Sequence, residues 1–103
     1  GVLMQFDLYR LPHRPDTLAV DIQSGLLDDL RTRVVIPLVQ RDQAPKTLLD
    51  TLNPCLRIDN RDYVLMPQMI ASIPKSELTQ AAGSAVDYRD TIVRAIDTID
   101  SGL

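Results

Sequence analysis

Few residues in this sequence carry the chemistry that catalysis requires. The one histidine, His13, stands between Pro12 and Arg14, and any Ser-His-Asp or Cys-His relay would have to pass through it. Its prolines read as a loop, and the imidazole as a solvated loop side chain. The one cysteine, Cys55, stands between Pro54 and Leu56 in a strand-like stretch. It reads as a buried, inert thiol, the commonest state of an unpaired cysteine. One His and one Cys do not make a zinc ligand set. Asp28-Asp29 and Asp59-Asn60-Arg61-Asp62 offer carboxylates but lack the twelve-residue calcium loop with its closing bidentate Glu, and turn chemistry explains them. Four dispersed glycines form no phosphate-cradling loop. Near the end, Asp90, Asp97 and Asp100 interleave with Arg89 and Arg94, which reads as a solvated helix face. The expectation is a protein with no catalytic residue, no metal and no cofactor, one that binds and is not an enzyme.

The elements that would position a binding surface come next. The chain has 103 residues, 45% hydrophobic and 24% charged, which fits one globular domain over 1–103, with Gly1 to Leu3 read as non-native residues ahead of a start at Met4. Fourteen acidic and eleven basic residues give a formal charge of -3, against the cationic surplus that direct nucleic-acid binding needs. The aromatics are Phe6, Tyr9, Tyr63 and Tyr88, too dispersed for a base-stacking platform. A single cysteine gives no internal disulfide, and no apolar run approaches the ~20 residues that cross a membrane. The expected setting is the cytoplasm.

Met4 to Tyr9 alternates, with Met4, Phe6 and Leu8 on one face and Gln5, Asp7 and Tyr9 on the other, which predicts a half-buried strand. Thr17 to Gln23 alternates likewise. The two should pair as a hairpin across a proline loop at Arg10 to Asp16. Ser24 to Arg31 reads as a connection presenting Leu26 and Leu27. Arg33 to Gln40 is a β-branched strand, in which Pro37 marks an edge or a bulge. Ala44 to Leu52 reads as a short helix begun by Pro45. Pro54 to Ile58 is a strand, Asp59 to Asp62 a turn, and Tyr63 to Ile73 a return strand bent at Pro67. Pro74 to Glu77 opens a helical turn. Ala85, Tyr88, Ile92, Ala95, Ile96 and Ile99, widened by Val93, recur at helical spacing, with Ser84 as N-cap, Asp87 in the first turn and Gly102 as the stop. The sum is an α+β, mainly β, domain: a small antiparallel sheet or barrel with a long C-terminal helix.

Several stretches, taken together, resemble the CcdB toxins of bacterial toxin–antitoxin modules: Met4-Gln5-Phe6, Val20-Asp21-Ile22-Gln23-Ser24, Val35-Ile36-Pro37-Leu38, Met69-Ile70-Ala71-Ser72-Ile73-Pro74, Ala95-Ile96, and the closing Gly102-Leu103. The resemblance implies an SH3-like small barrel with a C-terminal helix. It also implies a homodimeric type II toxin that binds the A subunit of DNA gyrase and traps its cleaved DNA complex. It further implies a cognate antitoxin, with DNA contact in operon autoregulation supplied by that antitoxin. Carried over residue by residue, the gyrase-contact set is Gln5, Phe6, Ser24, Leu26, Leu27, Asp97, Ser101, Gly102 and Leu103. The family typically ends Trp-Gly-Ile, whereas this chain ends Ser101-Gly102-Leu103. Asp100 stands where the family has an aromatic, and Asp97 where it has Asn. A Ser offers no π face for the arginine on which that Trp stacks. The alternative reading is therefore a toxin-fold binding module that keeps antitoxin binding and autoregulation without poisoning gyrase, or with another target.

Overall fold

A computed structural model of the chain describes residues 3–25, 30–46, 48 and 51–102. Among these, seven antiparallel strands form one curled sheet: β1 (Asp7–Leu11), β2 (Arg14–Asp21), β3 (Thr32–Gln40), β4 (Cys55–Ile58), β5 (Arg61–Leu65), β6 (Ala71–Pro74) and β7 (Ala81–Ser84). The path runs β4-β5-β3-β2-β1-β7, and β6 pairs with the first half of β3. Ile58 of β4 and Ala82 of β7, near the two ends of that path, line one small polar cavity, so the sheet curls into a half-barrel. Helix α1 (Arg89–Gly102) closes the chain. The mainly β fold with its C-terminal helix is the one expected.

Both hairpins turn on two residues. Leu11 pairs with Arg14, leaving Pro12 and His13 to turn. The strands thus run into the expected loop, at the cost of a slipped register after Arg10. Ile58 pairs with Arg61, leaving Asp59 and Asn60 at φ 51° and 65°. Two left-handed residues in a two-residue loop match the right-handed twist of the strands, and Asp and Asn tolerate that conformation.

Pro37 lies within β3, yet it breaks no ladder. On one side β3 pairs with β2 from Val35 to Leu38; on the other it pairs with β6 up to Val35 and with β5 from Leu38. Pro37 falls at the changeover, and its carbonyl accepts the Met66 N–H at 2.9 Å. The expected single return strand is split into β5, a 3-10 turn at Pro67–Met69, and β6.

The sheet has two apolar faces. On one, Phe6, Leu8, Leu18, Val20, Ile36, Leu38, Leu56, Tyr63 and Leu65 pack with Ala85, Ile92 and Ala95 of the C-terminal segment. On the other, Tyr9, Ala19, Val35 and Leu78 form a second cluster flanked by Leu3, Leu11 and Ile73. This corrects the half-buried reading of the first strand, since Tyr9 is buried on the face expected to be solvated. Met4 is 63% exposed because residues 4–7 form a turn, closed by the Asp7 N–H on the Met4 carbonyl at 3.1 Å. Phe6 sits in that turn at φ 70°.

Four further expectations change. No helix follows Pro45 among the described residues, and Thr47, Leu49 and Asp50 of that expected helix lie outside them. Instead a 3-10 turn occupies Arg41–Gln43, and Ala44 is extended. Cys55 is exposed on β4, not buried, because side chains alternate and its neighbour Leu56 takes the core side. Val93 is exposed and does not widen the helix stripe. Ala81–Ser84 forms β7 on the edge of β1, with an irregular register where Gly83 takes φ 109°. Ser84 Oγ accepts the Val86 N–H at 3.2 Å as expected of a cap, but a 3-10 turn (Val86–Tyr88) precedes α1.

Candidate functional site

The Asp21-Ile22-Gln23 segment, at the exit of β2, gathers three of the expected contact residues. Phe6 N–H donates to the Asp21 carbonyl, and Gln5 Nε2 donates to the Ile22 carbonyl at 3.1 Å. Ser24 follows directly. Gln5 and Ser24 are exposed, whereas Phe6 is only 5% exposed and belongs to the core. Its side chain therefore packs inward and is not a surface contact.

This segment is held from below by a buried polar network. Asp21 and Arg33 are 0% and 1% exposed, and Arg33 Nε donates to Asp21 Oδ2 at 2.7 Å. The other carboxylate oxygen, Oδ1, accepts the Gln23 N–H at 2.9 Å. The buried Gln23 side chain accepts the Val34 N–H on Oε1 at 3.0 Å, and Arg33 Nη2 approaches the Gln23 carbonyl at 3.5 Å. A desolvated charge pair persists only when such bonds occupy its remaining lone pairs and protons. Beside it, burial pushes the Tyr9 phenol above its ordinary pKa, and the carboxylates of Asp7 and Asp21 add to the shift while Arg33 opposes it. Sequence reasoning missed the buried pairing of Arg33 with Asp21. The available signal was an arginine opening the apolar run Val34-Val35-Ile36 and an aspartate inside Val20-Asp21-Ile22, both charges on strands with two buried faces.

The helix end holds the second group. Asp97 and Ser101 are exposed, and Ser101 Oγ donates to the Asp97 carbonyl at 2.9 Å. The helix runs through Gly102. At ~1.5 Å rise per residue, Ser101 lies roughly 18 Å beyond Arg89. The segment just before the helix is pinned to the first group, Ala85 N–H donating to the Phe6 carbonyl at 2.7 Å. Within one chain the two groups therefore stand apart. Leu26, Leu27 and Leu103, together with Asp28-Asp29, lie outside the described residues.

The other candidate residues, His13 and Cys55, lie on separate hairpins. His13 is exposed at the tip of the first hairpin. Cys55 lines an open groove of about 980 Å³ with Arg41, Lys46, Pro54 and Arg61. Among the described residues no group of His, Cys, Asp or Glu is placed to hold a metal ion, and no helix is long and apolar enough to cross a membrane.

A curled antiparallel half-barrel with one C-terminal helix is a small-barrel fold. The family model described as CcdB protein matches residues 5–102; the chain belongs to the CcdB family. A solved structure described as an endoribonuclease from mycobacterial species is similar in fold, with a TM-score of 0.71 over 95% of this chain and 90% of that one, at 14% identity. No curated protein matches the chain.

Proposed function

We propose that the protein is the toxin of a type II toxin–antitoxin module, acting in the cytoplasm by binding the A subunit of DNA gyrase and trapping its cleaved DNA complex, without catalysis of its own. The observation that carries this reading is the family match across residues 5–102. The exposed Gln5 and Ser24 are consistent with it. The acting form is a homodimer. Met69 and Ile70 are 45% and 48% exposed beside a turn that packs on α1, and the outer edge of β6 carries no strand among the described residues. An apolar ledge and an open strand edge are surfaces that a second copy would cover. Two copies would also bring two helix ends to one target. A disordered antitoxin segment neutralises the toxin, and the Tyr9–Arg14 hairpin tip is a candidate contact.

The chain end favours a second reading. Ser101 offers no ring, its hydroxyl is engaged by the Asp97 carbonyl, and Asp100 adds a charge. In that reading the toxin fold keeps antitoxin binding and operon autoregulation but has lost gyrase or exchanged it for another target. The deciding experiment is titration of the purified protein, free of antitoxin, with the gyrase A-subunit fragment. Micromolar or tighter binding that is lost on removing Gly102-Leu103, together with growth arrest relieved by gyrase mutations, supports the first reading. A folded dimer that does not bind supports the second. RNA cleavage by the purified protein would overturn both.

A further inference from the structure

We infer that Asp21 and Arg33 are positioning residues for the target-contact surface, and that the buried pair is there to fix the Asp21-Ile22-Gln23 backbone rather than to hold the fold together. The inference rests on the proposed toxin reading for its functional consequence, but its structural half stands alone.

The bonds described above converge on one short segment. Arg33 Nε fixes Asp21 Oδ2, and Asp21 Oδ1 fixes the Gln23 amide two residues on. The Gln23 carboxamide then fixes the segment to β3 through Val34 N–H, while Ile22 N–H donates to the Val34 carbonyl at 3.0 Å. The orientation of the Asp21 and Ile22 carbonyls follows. Those two carbonyls are what hold Phe6 and Gln5. Ser24 leaves from the far end. The first described register pair of β2 with β3 beyond Val20 is Asp21 with Val35, so ladder pairing stops where the network starts.

A role in stability alone would not call for charge here. Replacing a whole buried ion pair by apolar side chains of similar volume is often neutral or stabilising, whereas deleting one partner strands the other. What charge adds is direction: a fork and a carboxylate accept one geometry, and an apolar pair accepts many.

The test is the double substitution Asp21→Leu/Arg33→Met in the full chain. Expected are a folded protein with an unfolding temperature near that of the parent, amide exchange at Phe6, Gln23 and Ser24 at least tenfold faster with Leu38 and Ile92 unchanged, and gyrase-fragment affinity at least tenfold weaker. Gln23→Met, which removes the carboxamide bond to Val34 and keeps the Asp21–Arg33 pair, should shift the same amides in the same direction and is the milder probe should the double variant unfold. Unchanged exchange at those amides in either folded variant would overturn the inference, as would faster exchange with parental binding. If the parent itself does not bind gyrase, the toxin reading has failed on its own. Growth arrest at matched soluble levels then replaces binding as the functional readout. Should the parent not arrest growth either, exchange alone decides the structural half.

Discussion

Phe6 separates a core role from a contact role more sharply than any other residue. Its ring is 5% exposed among Leu8, Leu18, Val20 and the C-terminal segment, while its backbone takes φ 70°. Phe6→Ala removes a buried ring and leaves a cavity, which costs about 3–5 kcal/mol. For 103 residues, an unfolding entropy of about 2.1 cal/mol/K per residue turns the lower figure into a fall in Tm of roughly 14 °C. Phe6→Gly loses the same ring but removes the Cβ that a left-handed backbone penalises by about 1–2 kcal/mol. That relief offsets the usual glycine penalty of roughly 0.5–1 kcal/mol. The glycine variant should therefore be at least as stable as the alanine variant, the reverse of the ordinary order. Urea and thermal unfolding of both, with binding measured on the same samples, check this. A parental Tm for Phe6→Ala with selectively lost binding would refute the core assignment. Phe6→Gly falling below Phe6→Ala by the ordinary margin would refute the left-handed turn.

Tyr88 ties the start of the C-terminal helix to the outermost strand, its hydroxyl accepting the Arg57 N–H and donating to the Arg57 carbonyl, both at 3.2 Å. Tyr88→Phe should cost about 1 kcal/mol in urea unfolding and speed amide exchange at Arg57. Asn60→Ala, at φ 65°, should cost about 1 kcal/mol, whereas Asn60→Gly should not destabilise. Burial first, then Asp7 and Asp21, raises the Tyr9 phenol above its usual pKa of 10.0. The folded state thus holds that proton more tightly than the unfolded chain. The resulting stability is fully present below about pH 10 and is lost as the pH climbs through the folded value, so Tyr9→Phe should flatten the alkaline decline in urea midpoint. Ser101→Trp, which supplies a π face at the helix end, should tighten gyrase-fragment binding by about 2 kcal/mol, roughly thirty-fold. No gain by calorimetry would mean that more than this anchor has diverged.

What the sequence discloses follows from how local each signal is. The Asp59-Asn60 turn and the α1 stripe at Ile92, Ala95 and Ile96 depend on neighbours a few residues away, and both were legible. Strand β7 was not. Ala81-Ala82-Gly83-Ser84 has no β-branched residue, and it is a strand because the edge of β1 pairs with it. Tyr9 was misplaced because alternation assumes one wet face, and here both are covered. Cys55 was misplaced because composition cannot say which side of an outer strand a residue takes. Gln5 and Ser24 are expected as contacts only through family resemblance; the structure shows them exposed. The Asp21–Arg33 pair that underlies them was not seen as a pair, because two charges twelve positions apart meet only once β2 and β3 pair.

The coverage of both sheet faces also limits where a partner can bind. Leu8, Leu18 and Leu38 lie under the C-terminal segment, and Tyr9, Ala19 and Val35 lie under Leu78. Among the described residues both faces are covered at their centres, so the proposed recognition falls to ends and edges. The Gln5–Ser24 end and the Ser101 end are joined by α1, roughly 18 Å from Arg89 to Ser101. A compact target touching both groups on one chain would have to span that helix. In the proposed homodimer, a second copy docked on the apolar ledge at Met69 and Ile70 beside α1 would bring a second helix end to the same target. Breaking that ledge with Ile70→Glu should then weaken target binding without touching a contact residue. The loss should disappear when protein concentration is raised far enough to restore the dimer in sedimentation. A monomeric Ile70→Glu variant that bound like the parent would show that one chain carries the whole surface.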